Sequence, residues 1–121
     1  MASSPVSAPV RILIVEDEPL IAMMLEDFLD ALEKQVAGTA DSVPAALDLI
    51  AAGGIDGAIL DVNLRGGEQS WPVADALAAA GIPFLLATGG GDGSIVDAHR
   101  GRPVLAKPFT MDGVERALAA L

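Results

Sequence analysis

Five short apolar runs recur along the chain at intervals that leave room for a helix between them: "VRILIV" (10–15), "QVAGTA" (35–40), "GAIL" (57–60), "IPFLLA" (82–87) and "RPVLA" (102–106). Each is four to six residues of mostly aliphatic side chains bounded by charged or turn-forming residues, which predicts buried strands. "QVAGTA" is the weakest of the five. The intervening segments repeat at helical spacing. Pro19 suits the first turn of a helix, and Leu20, Ile21, Met24, Leu25, Phe28, Leu29 and Leu32 form one wide apolar stripe. Ser42 and Pro44 open a second helix that reaches about Ala52. Ser70 and Pro72 start a third, "VADALAAA", closed by Gly81. "SIVDAHR" (94–100) supports at best a short helix, and Met111, Val114, Ala117, Leu118 and Leu121 line the last helical face.

Five strands alternating with five helices imply a parallel sheet covered on both faces, an α/β doubly wound (βα)5 domain in three layers. There are no internal repeats and no linker. Residues 1–9 read as a short disordered arm and residues 10–121 as one domain. Because the chain ends with the fifth helix, no covalently attached output module is expected.

Composition narrows the function. A length of 121 residues suits one domain with an ordinary core. The core is aliphatic, since apolar residues make up 52% and aromatic residues only 3%. There is no cysteine, which removes disulfides and thiolate metal sites and is compatible with a reducing cytoplasm. The net charge of −10 argues against nucleic acid and against anionic membrane surfaces as partners. No apolar run reaches the length of a membrane span, and "MASSPVSAP" lacks the features of a secretory signal.

In open parallel sheets, ligands sit at the carboxyl ends of the strands. Glu16 and Asp17 follow the first strand, Asp61 ends the third, Thr88 the fourth, and Lys107 the fifth. Three carboxylates, a hydroxyl and an ammonium thus converge on one edge. Clustered carboxylates repel one another unless a cation joins them. Hard oxygen donors without His or Cys suit Mg²⁺. A carboxylate beside the metal can act as a nucleophile. A metal, a hydroxyl and a lysine can then neutralise the equatorial oxygens of a transferred phosphoryl group.

With "ILIVEDEP", "AILDVNL", "FLLATG" and "VLAKPF" in these positions, residues 10–121 resemble the receiver domain of two-component response regulators (CheY-like). The resemblance implies a flavodoxin-like fold with strand order 2-1-3-4-5 and a non-enzymatic signalling role. Asp61 would be the phosphoacceptor. Asp17 would bind Mg²⁺ directly, Glu16 largely through water, and the backbone carbonyl of Asn63 would complete the protein ligands. Thr88 and Lys107 would contact the phosphoryl oxygens, and the Lys107–Pro108 peptide would be cis. The implied partners are a sensor histidine kinase and an unidentified downstream protein, with an acidic domain that is monomeric at rest and able to dimerise on activation.

Departures from the common receiver pattern carry information. The acceptor is followed by "NLRGGEQSWPVADAL" rather than a Met-Pro and a later Asp-Gly. Val104 stands where most receivers carry an aromatic residue, and Gly89 where most carry Ser or Ala. With "PFLLATGGG" and "RGRPVLAKPF", these features are similar to the single-domain FAT GUY receivers, although Leu86 replaces the signature Phe. Thr88, Gly89, Gly90 and Val104 are the expected switch positions, the glycine tract supplying the mobility that Val104 cannot. The tract is not a P-loop, lacking Gly-Lys-Ser/Thr. His99 is expected on the surface or at a helix end, Trp71 over the start of the third helix, and Met23 and Met24 in the core. Two other functions fit parts of the pattern: a phosphorylation-independent interaction module, and an Asp-nucleophile phosphatase, whose motif order would be reversed relative to this chain.

Overall fold

The computed structural model describes residues 10–64, 68–88, 95–99, 101–106 and 109–121. The expected arm at 1–9 lies outside them. Five strands, β1 (Arg11–Val15), β2 (Gln35–Ala40), β3 (Gly57–Asp61), β4 (Phe84–Thr88) and β5 (Val104–Ala106), form one sheet in the order β2-β1-β3-β4-β5. Every neighbouring pair is parallel. The helices are α1 (Pro19–Ala31), α2 (Val43–Ala52), α3 (Trp71–Ala79) and α4 (Met111–Ala119). This is the flavodoxin-like, doubly wound α/β fold with the expected strand order. The expected fourth helix, between β4 and β5, is reduced among the described residues to a 3₁₀ turn at Asp97–His99.

Strand composition follows position in the sheet. β3 and β4 are buried at every residue, and β1 at all but Arg11, because helices cover both faces. The edge strands β2 and β5 are half exposed, which matches their weaker apolar character. The two-residue repeat of a strand sorts its side chains between two core layers. Leu13, Val15, Ala58, Leu60, Phe84 and Leu86 pack toward α2 and α3. Ile12, Ile14, Ile59, Leu85 and Ala87 pack toward α1 and α4, with Leu25, Leu29 and Val114. Met24 joins that second layer, whereas Met23 is 54% exposed, so the expectation of a core residue holds for one of the pair.

Helix starts obey local chemistry. Pro19 occupies the first turn of α1. The Ser42 hydroxyl caps α2 by accepting from the Ala45 N–H (3.3 Å), and the Thr110 hydroxyl caps α4 by accepting from the Gly113 N–H (3.0 Å). Gly81 closes α3 at φ 73°, a left-handed conformation that glycine adopts without strain. None of the described helices is long and apolar enough to cross a membrane.

Candidate functional site

The strand order reverses direction at β1, which has β2 on one side and β3 on the other. Such a switch point opens a crevice at the carboxyl ends of the two strands. Register fixes what lines it. Val15 pairs with Leu60, so Glu16, the next residue, comes level with Asp61. Asp61 pairs with Ala87 and Thr88 with Ala106, which brings β4 and β5 to the same edge.

Glu16 and Asp61 are only 3% and 4% exposed, Thr88 is buried, and Asp17 is half-buried. One oxygen from each of Glu16, Asp17 and Asp61 lies within 4.8 Å of the others. An open cleft of about 260 Å³ leads away from this cluster between Glu16, Asp17, Pro19, Ala22, Thr39 and Asp41.

Main-chain groups orient the carboxylates. The Glu16 N–H extends the sheet ladder by donating to the Ala40 carbonyl (2.9 Å), and the Glu18 N–H donates to Glu16 Oε2 (3.1 Å). The Asn63 N–H turns back to donate to Asp61 Oδ1 (3.2 Å). Asn63 itself forms an isolated antiparallel bridge with Gln69, flanked by hydrogen bonds from the Leu64 N–H to the Glu68 carbonyl and from the Ser70 N–H to the Val62 carbonyl. In that pairing the ladder uses the main chain of the flanking residues, and the N–H and carbonyl of Asn63 point away from Gln69.

Ser70 is the site residue that the sequence reading missed. A serine ahead of a helix reads as an N-cap, yet this hydroxyl makes no cap bond. It donates instead to the main-chain carbonyl of Asp61 (2.6 Å), with the Val62 carbonyl also in range at 3.2 Å. Ser70 is fully buried. Hydroxyl chemistry at a loop-to-helix junction was visible in the chain; its partner nine positions upstream was not.

His99 corrects an expectation. It ends the 3₁₀ turn, as a helix-end residue would, but it is only 3% exposed rather than on the surface. Its ring stacks on Trp71 (centroids 5.7 Å apart, planes 8° apart) and meets the edge of Phe84 (5.6 Å), while Nε2 lies 2.9 Å from Asp75 Oδ1.

Of the expected set, then, Glu16, Asp17 and Asp61 come together, Thr88 ends β4 on the same edge, and Asn63 lies two positions after Asp61. Val104 opens β5 opposite Leu86, away from that edge, and is 45% exposed. Gly89, Gly90, Lys107 and the Lys107–Pro108 peptide lie outside the described residues. A hollow of about 520 Å³ between β5 and α4 contains none of the acidic cluster. The cluster's donor set is hard oxygen throughout, which fits a small divalent cation such as Mg²⁺.

Comparison with known proteins agrees with this geometry. The chain is 67% identical to SdrG from Sphingomonas melonis Fr1, whose solution structure it matches with a TM-score of 0.85 over 95% of this chain and 98% of that one. The solution structure of the BeF3-activated conformation of SdrG, from Pseudomonas melonis Fr1, matches over the same shares at 67% identity and a TM-score of 0.81. The PhyR response regulator REC domain of Erythrobacter litoralis matches at 26% identity and a TM-score of 0.82, over 93% of this chain and 89% of that one. No curated protein matches the chain. The response regulator receiver domain family matches residues 12–118. With the fold, the strand order and the acidic edge already in place, that match means the chain belongs to the response regulator receiver domain family.

Proposed function

We propose that the chain is the phosphoacceptor of a two-component relay, with Asp61 taking a phosphoryl group from the phosphohistidine of a sensor kinase. The observation that carries this reading is the convergence of Glu16, Asp17 and Asp61 within 4.8 Å, on the edge where β4 presents Thr88. Asp17, Asp61 and the carbonyl of Asn63 would hold Mg²⁺, with Glu16 acting largely through water. When bound, the cation supplies the positive charge that lets an anionic carboxylate meet an anionic phosphoryl group.

The Asp61 carboxylate oxygen forms the new bond to phosphorus as the P–N bond of the phosphohistidine breaks, and the electron pair returns to the imidazole nitrogen. The Asn63 N–H on Oδ1 holds the Asp61 carboxylate in one orientation. Thr88 and Lys107 contact the phosphoryl oxygens. The existence of a BeF3-activated form of a relative 67% identical to this chain supports the reading, since beryllofluoride mimics a phosphoryl group. Receiver domains are signalling modules; this one acts in the cytoplasm, through a downstream protein or as a sink that drains phosphate from its pathway.

Incubation with Mg²⁺ and acetyl phosphate, followed by intact mass measurement, tests the proposal. One acid-stable, base-labile phosphate per chain is expected. Sustained turnover would indicate a phosphatase, and no change an interaction module.

A further inference from the structure

Ser70 and Trp71 are adjacent in the chain but face two different parts of the molecule. The Ser70 hydroxyl is bonded to the main chain of Asp61. The Trp71 ring is stacked on His99, in the segment that returns from β4. α3 grips this histidine twice, through Trp71 and, one turn later, through Asp75. Residues 89–94 separate Thr88 from Ile95, and Ile95 is buried in the α2–α3 core layer. A path therefore runs from the Asp61 main chain through the Ser70 hydroxyl, along the chain to Trp71, and across the ring stack to His99.

The aromatic pair carries a feature that a purely structural stack would avoid. Trp71 Nε1 and His99 Nδ1 are both buried, and neither has a hydrogen-bond partner among the described residues. The Asp75 carboxylate accepts from Nε2, so Nδ1 is the unspent nitrogen of the ring. A phenyl ring at position 99 would fill the same space without burying an unpaired polar atom. A buried polar atom held unpaired calls for an explanation, and a second arrangement in which it gains a partner supplies one. Asp75 is 70% exposed, so one end of the grip opens to solvent and can release.

We propose that Ser70–Trp71 is the coupling element of this receiver: a change at the Asp61 main chain passes through the Ser70 hydroxyl to the start of α3 and is read as a rearrangement of the Trp71–His99–Asp75 cluster. The proposal rests on the phosphoacceptor reading of Asp61. It gives the described residues an aromatic readout on the α2–α3 side of the sheet, in a chain whose β5 begins with an exposed valine. The physical requirement is a two-state element that the acceptor biases, and the cluster is that element.

The chain has one tryptophan, so its indole N–H gives a single reporter signal. The experiment is amide and indole NMR with Mg²⁺ alone and then with Mg²⁺ and beryllofluoride. In the wild type, the indole signal and the amides of 95–99 are expected to shift together with those of Asp61, Val62 and Thr88. In Ser70→Ala, the amides beside Asp61 are expected to respond while the indole does not. If the acceptor amides shift and the indole and 95–99 stay unmoved in the wild type, the coupling is overturned and the phosphoacceptor reading stands. If no signal shifts, both fall. A full indole response in Ser70→Ala removes Ser70 from the path. Should Ser70→Ala fail to fold, His99→Phe tests the other end: it keeps a stacked ring and loses the Asp75 bond, and an indole response equal to wild type would overturn the cluster's role.

Discussion

The Ser70 hydroxyl lies 2.6 Å from the main-chain carbonyl oxygen of Asp61, and both residues are buried. The start of α3 is thereby tied to the residue that ends β3. Removing the hydroxyl takes one donor from the Asp61 carbonyl at a buried position that water reaches poorly. Ser70→Ala is expected to cost about 1–3 kcal/mol, the range for a buried group that loses a hydrogen bond. Urea unfolding reads this as a lower midpoint at an unchanged slope. An unchanged midpoint would mean that the bond contributes nothing.

The crowding of Glu16, Asp17 and Asp61 sets the response to metal. Three carboxylates within 4.8 Å oppose one another when no cation joins them. Asp17→Asn is expected to raise the melting temperature in metal-free buffer and to lose most of the rise that Mg²⁺ gives the wild type. A ligand at a hundredfold excess over its Kd stabilises by about 2.7 kcal/mol through mass action. Equal Mg²⁺ shifts in the two proteins would contradict the site.

Glu33, just past the end of α1, has φ 62° and is the one non-glycine residue with positive φ among those described. A left-handed conformation costs an L-residue roughly 1–2 kcal/mol. Glycine would relieve that, while adding about 0.4–1 kcal/mol of unfolded-chain entropy. Glu33→Gly is expected to stabilise the fold by a net ~0.5–1 kcal/mol. A fall in melting temperature would show that the glutamate side chain contributes more than its backbone strain costs.

Much of this architecture was legible because strand ends and chemistry coincide. β2 occupies the expected residues 35–40, and β3 ends at Asp61 as expected. β4 and β5 each begin two residues later than the hydropathy suggested, for reasons of hydrogen bonding. Ile82 donates to the Leu77 carbonyl and so closes α3 before β4 can begin at Phe84. The Arg102 N–H donates to the His99 carbonyl, which keeps it in the turn before β5. The acidic cluster was readable because register in a parallel sheet brings successive strand ends to one edge. Ser70 and His99 were not readable, because their partners are side chains and carbonyls distant in sequence: Asp75 is 24 positions from His99. A lone histidine in a mostly polar run gives no sign of a tryptophan waiting to stack on it.

The central claim is that Asp61 carries the phosphoryl group, and its chemical trace can be located directly. The Mg²⁺ and acetyl phosphate product is treated with borohydride, which reduces an aspartyl phosphate to homoserine, and the digest is sequenced by mass spectrometry. Homoserine is expected at position 61, with none formed in Asp61→Asn, which should fold as the wild type does because the amide is nearly the same size and shape as the carboxylate. Homoserine at Asp17 or another acidic residue, or an unmodified chain that keeps its fold and binds Mg²⁺, would contradict the account.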